Sequence, residues 1–160
     1  MQRLESFEPY LQAEEIWSYL GQRFGMDNTR FSGYRLWHFP GRPTIWLAAE
    51  NLYPEEEDGL ETLGLPLLRR PLPRGLPTTA FLQRFGHLAE KNVLQVGPEA
   101  VTTLMQGKSL PWREETDKAG PFIVSSELGI LGRGWIKGGR LLLDASKEWR
   151  KSLEDKNREQ

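Results

Sequence analysis

Gly120 to Leu143 leaves the chain few choices of fold. It reads as three consecutive strands. Phe122, Ile123 and Val124 are strand-forming residues, Leu128 to Leu131 is apolar around Gly129, and Trp135 and Ile136 precede a Gly138-Gly139 pair that Leu141 to Leu143 follow. A Gly-Gly pair between two apolar runs is a hairpin signal. Gly129, Gly132 and Gly134 inside a strand pattern predict a bulge or a close approach by another backbone. Arg133, Lys137 and Arg140 are the only formal charges between Leu128 and Leu143, and all are positive. The stretch is a glycine-pinched β unit with a basic rim.

The charge of the whole chain is uneven. Residues 1–64 carry five Lys and Arg against eleven Asp and Glu, a balance of −6, and residues 65–160 carry sixteen against eleven, a balance of +5. A basic second half is an electrostatic address for a polyanion. With 160 residues and 38% hydrophobic content, one domain or two small ones are expected. No apolar run is long enough to cross a bilayer, and Met1 to Ser6 lacks the basic start and apolar core of a signal peptide. The absence of cysteine removes disulfides, thiolate metal sites and a cysteine nucleophile. The chain is expected to be cytoplasmic, with no membrane partner.

Taken in order, residues 8–24 have helical apolar spacing through Tyr10, Leu11, Ile16, Trp17, Leu20 and Phe24. Ser6 is the expected cap, Pro9 lies in the first turn, and Gly25 is the stop. Phe31–Phe39 and Thr44–Ala49 predict a hairpin around Pro40 to Pro43. The acids of Glu50–Asp58 predict a solvated loop, and Leu60–Leu63 a short helical turn. Leu65–Leu72, with its prolines, reads as an edge strand. Arg69, Arg70 and Arg74 follow as a basic cluster that either protects that edge or touches phosphate.

The second half is well punctuated. Thr78 or Thr79 caps a helix that ends at Gly86, Lys91–Val96 is a strand, and Pro98-Glu99 opens a helix ended by Gly107. Lys108–Trp112 is extended, Arg113–Ala119 is a loop, and Lys147–Arg158 is a mixed-charge C-terminal helix.

No constellation for chemistry is evident. His38 and His87, the two histidines, sit in different parts of the chain with no metal-ligand spacing. Ser125-Ser126 lacks a nucleophile-elbow pattern. Gly132-Arg133-Gly134 has no following helix to complete a dinucleotide fingerprint. The expectation is a non-enzyme with no cofactor, no metal and no catalytic residue. Trp37, Trp46, Trp112 and Trp135 are either core residues or platforms for a base.

An ordered set of motifs resembles a known family. It comprises Leu76-x-Thr78-Thr79-Ala80 with Phe85, then Ala89-Glu90-Lys91-Asn92-Val93. After these come the Pro98-Glu99-Ala100 helix ending at Gly107-Lys108, then Gly120 with Ile123-Val124, and finally Leu131-Gly132-x-Gly134. This set resembles PUA-type RNA-binding proteins. It is most like two-domain ribosome-biogenesis factors of the Nip-seven type, and it is similar to the C-terminal RNA-binding part of Nop/Sun-type rRNA cytosine-C5 methyltransferases.

The resemblance implies an α+β chain. Residues 1–88 would form an α/β pre-PUA domain, residues 89–145 a small PUA-like β-barrel with short helices, and residues 146–160 a charged helix or tail. It implies RNA, most of all structured rRNA, as partner, with ribosome biogenesis or RNA modification as the setting. Carried onto this sequence, the RNA-facing residues are Lys108 and Arg133 with Lys137 and Arg140, and Trp112 would stack on an unpaired base. With the arginine cluster Arg69, Arg70 and Arg74 they make up the candidate site. The catalytic cysteine and methyl-donor domain of the methyltransferases have no counterpart here. The alternative is a protein-interaction accessory subunit of an RNA methyltransferase, or a partner of a pre-ribosomal protein.

Overall fold

The computed structural model describes residues 6–52, 62–113 and 120–144. The fold is mixed α+β, with a four-stranded sheet, a five-stranded sheet and three α-helices among those residues. The chain divides into two compact units, Met1–Lys91 and Asn92–Gln160, three residues beyond the division expected after residue 88. The expected acidic loop is described only for Glu50, Asn51 and Leu52, and the C-terminal helix lies outside the described residues. Of the expected helical turn at Leu60–Leu63, only Thr62 and Leu63 are described, and they are irregular.

The first sheet has the order β1-β2-β3-β4, from Glu8–Pro9, Tyr34–His38, Ile45–Ala49 and Leu65–Leu68. The expected hairpin is there, with Leu36 opposite Leu47 and Trp37 opposite Trp46. The first helix differs from expectation. Helix α1 spans Ala13–Phe24, and Glu8–Pro9 pairs with β2 as a short strand. Ser6 does not cap α1, because the cap position is Gln12.

The reason is packing. Extending residues 7–10 buries Phe7 edge-on against Phe39 at 5.4 Å and against Trp46 at 6.3 Å, in a cluster with Trp37, Ala48 and Leu63. It also lets the Tyr10 N–H donate to the Leu36 carbonyl at 2.9 Å. One more helical turn would forgo both. Local helical spacing is a weak preference beside an aromatic burial of this kind.

The opposite face of the sheet meets helices. Tyr34 lies edge-on to Phe85 of helix α2, Thr79–Phe85, with centroids 5.6 Å apart. Phe31 stacks with Trp17 of α1 at 5.0 Å and with Phe81 of α2 at 6.0 Å, so one aromatic ring ties the two helices together. The short 3-10 turn carrying Phe31, Asn28–Phe31, is capped by the Asp27 carboxylate, which accepts the Thr29 N–H at 3.0 Å. Thr78 caps α2 by accepting the Phe81 N–H at 3.0 Å. Its hydroxyl in turn donates to the Pro66 carbonyl of β4, so one buried side chain fixes both a helix start and an edge strand.

The second sheet has the order β5-β7-β8-β9-β6. Its strands are β5 Val93–Gln95, β6 Leu110–Pro111, β7 Phe122–Ser126, β8 Gly129–Lys137 and β9 Arg140–Asp144. The β5–β7 pair is parallel and the others are antiparallel. Helix α3, Pro98–Met105, connects the two edge strands β5 and β6 and seats Leu104 in the core. That core holds Leu94, Val96, Phe122, Val124, Leu131, Leu141 and Leu143. Gly134 explains part of the glycine spacing in β8, because a Cβ there would lie 2.4 Å from Val124 Cγ2 and 3.3 Å from Leu141 Cδ1. The β7–β8 pairing shifts register at Val124/Ser125, the bulge that the glycines predict.

Candidate nucleic-acid interface

Strand alternation fixes which β8 side chains leave the core. Gly134 packs inward, so Arg133, Trp135 and Lys137 share the other face of the sheet. Their direct partners on β9 are Asp144, Leu142 and Arg140, in that order. The β8–β9 connection is two residues long, Gly138 and Gly139, with φ of 57° and 73°. Both lie in the left-handed region that a type I′ turn demands and that glycine adopts without steric cost.

This turn places two cations opposite each other. Lys137 and Arg140 are cross-strand partners, a like-charge arrangement that costs on the order of 0.2–1 kcal/mol. Each side chain is drawn aside. Lys137 Nζ lies over the Trp135 ring, 5.7 Å from its centroid. The Arg140 guanidinium turns towards β6, donating from Nε to Ser109 Oγ at 2.6 Å and from Nη2 to the Ser109 carbonyl at 3.1 Å. These use two of its five N–H donors, and among the described residues no other protein group accepts from it. Neither Lys137 nor Arg140 has an ion pair with a described acid.

Lys108 joins them through the chain. It is exposed, lies just past Gly107 at the end of α3, and precedes the Ser109 that holds Arg140. Trp112 is tied to the same turn, its backbone N–H donating to the Gly139 carbonyl at 2.8 Å. Its ring is half-buried against the core of the second unit, and its buried Nε1 has no hydrogen-bond partner among the described residues. Trp112 is therefore first a packing residue.

The other tryptophans divide in the same way. Trp37 is core at 1% exposure, and Trp46 packs on the Phe7 cluster. Trp135 is half-buried, on the outer face of β8 beneath Lys137.

Arg133 stands apart from the hairpin cations. It lies four residues back along β8 and is held by Asp144, Nε and Nη2 both reaching Oδ2, at 3.0 and 2.7 Å. Trp135 Nε1 donates to the same oxygen at 3.4 Å. Arg133 is a structural cation first.

Arg69, Arg70 and Arg74 belong to the first unit, in the loop after β4, and all three are exposed. That unit also contains a shallow pocket of about 250 Å³, mainly apolar, with Tyr34, Arg84 and Phe85 among its lining residues.

The hairpin cations are legible in the sequence, whereas Ser109 and Asp144 are not. The i, i+2 spacing of Trp135 and Lys137 on a strand signals a shared face. Nothing local marks Ser109, 31 residues from Arg140, because the contact needs β6 to pair with β9.

Among the described residues no three His, Asp or Glu are grouped to hold a metal ion, and no helix is long and apolar enough to cross a membrane. The sequence matches no known protein-family model and no curated protein.

Proposed function

We propose that this chain is a non-catalytic RNA-binding protein of the pre-PUA plus PUA type. It takes the phosphate backbone of structured RNA, rRNA first, at the tip of the β8–β9 hairpin. One observation carries the reading: Lys137 and Arg140 face each other across the Gly138-Gly139 turn without a described acid between them. A local rule of sheet pairing is broken at an exposed tip, and a bound phosphate is the partner that would relieve it.

Arg140 is pre-oriented by Ser109 and keeps donors for a bidentate phosphate contact. Lys108 adds charge beside it. Both turn glycines have open space where a side chain would stand, so an RNA strand can approach the backbone closely. Sequence preference would come from RNA shape and from a base resting near Trp135.

The test is an anisotropy titration of labelled rRNA fragments with the full chain at two salt concentrations. Binding that weakens steeply with salt and is lost in the Lys137→Glu/Arg140→Glu variant supports the reading. No binding at low salt removes it. The rival reading, an accessory subunit of an RNA methyltransferase that docks through protein contacts, draws on the apolar pocket beside Phe85. Nuclease-resistant association with such an enzyme, in a chain that binds no RNA, would favour it.

A further inference from the structure

The three arginines after β4 could simply guard an exposed sheet edge. That edge is already covered. Leu68 bridges to Pro77, the Thr78 N–H donates to the Leu67 carbonyl at 2.9 Å, and the Thr78 hydroxyl donates to the Pro66 carbonyl. The residues between those anchors form a folded loop. The Gly75 N–H donates to the Pro71 carbonyl at 2.9 Å. Gly75 is buried so tightly that a Cβ would fall 1.8 Å from the Arg70 carbonyl oxygen. This contact brings Arg74, the residue before Gly75, back beside Arg70. Arg69, Arg70 and Arg74 are exposed, and no described residue pairs with any of them.

We infer that the Arg69–Arg74 loop of the first unit is a second phosphate-backbone site for RNA, in addition to the β8–β9 hairpin; the choice of RNA as partner rests on the function proposed above. Three features support it. The loop is already folded, so little ordering entropy is lost on binding. All three cations are arginine, whose planar fork matches a phosphate in a way lysine does not. The charges have no edge left to protect and no described acid to neutralise.

The experiment uses the full chain and a labelled structured rRNA fragment, titrated across a salt series. The proteins compared are wild type, Arg69→Gln/Arg70→Gln/Arg74→Gln, Lys137→Gln/Arg140→Gln and the combined variant. The loop variant is expected to bind on the order of tenfold to a hundredfold more weakly, with a log–log salt slope lower by about 2–3, as for three lost phosphate contacts. Arg69→Lys/Arg70→Lys/Arg74→Lys should keep the salt slope and lose part of the affinity. This second variant carries the test if the glutamine variant does not fold.

Wild-type affinity and slope in the loop variant, beside lost binding in the hairpin variant, would overturn the second site and leave the hairpin standing. The reverse pattern would establish the loop and overturn the hairpin. Failure of the wild type to bind RNA at low salt would overturn both.

Discussion

Lys137 and Arg140 are direct partners across a two-glycine turn, and the forces that keep them there nearly cancel. Their repulsion costs on the order of 0.2–1 kcal/mol. The exposed contact of Lys137 with the Trp135 ring returns about 0.5–1 kcal/mol. Lys137→Gln is therefore expected to leave stability within about 0.5 kcal/mol of wild type. It should lower the salt slope of RNA binding by about 1. Chemical denaturation alongside RNA titration checks the separation of the two effects.

Asp144 should act in the opposite direction. Its carboxylate holds Arg133, and the two side chains are 41% and 18% exposed. Removing one partner of a half-solvated pair of this kind costs about 1 kcal/mol, more than for a fully exposed pair, because the largely buried Arg133 guanidinium is left without that carboxylate. Asp144→Asn is expected to cost about that much in unfolding free energy. It should also tighten RNA binding, since a negative charge leaves the basic face. Arg133→Glu would set two carboxylates against each other and destabilise the sheet, so lost binding in that variant would not identify a contact.

Gly134 tests the packing of the second unit. A methyl group there meets Val124 Cγ2 at 2.4 Å, and the β-branched Val124 has few rotamers to retreat to. Gly134→Ala is expected to destabilise by about 1–3 kcal/mol, seen as a lowered denaturation midpoint. Gly138→Asn, in the open turn, keeps a residue that tolerates positive φ and should cost much less.

Asp27 gives the first unit an acid-sensitive turn. The hydrogen bond from the Thr29 N–H holds its carboxyl below the ordinary aspartate value. A depressed folded-state pKa adds stability at pH values above the unfolded pKa and loses it as pH falls through the folded one. Asp27→Ala should therefore be less stable than wild type at neutral pH, and the gap should close in acid. Denaturation midpoints of both proteins between neutral pH and about pH 2 check the convergence.

The features legible in the sequence are local ones. Gly138-Gly139, the Thr78 cap of α2 and Pro98 at the start of α3 each announce themselves within a few residues. The features that stay hidden depend on partners distant in sequence. Residues 8–12 have helical spacing, yet extended Phe7 finds Phe39 and Trp46, more than thirty positions later in the sequence. Arg133 reads as a free cation until the β8–β9 register sets it beside Asp144. Arg140 and Ser109 meet only because a two-residue strand pairs with β9. The cations are legible in the sequence, but which of them are already engaged is not.

The most direct measurement is the affinity of the full chain for a labelled structured rRNA fragment at about 50 mM and about 200 mM salt, with and without Lys137→Glu/Arg140→Glu. Binding at the lower salt, strongly weakened at the higher and lost with the double substitution, is the expected result. No binding at the lower salt, or equal binding by the two proteins, would contradict the hairpin as an RNA site.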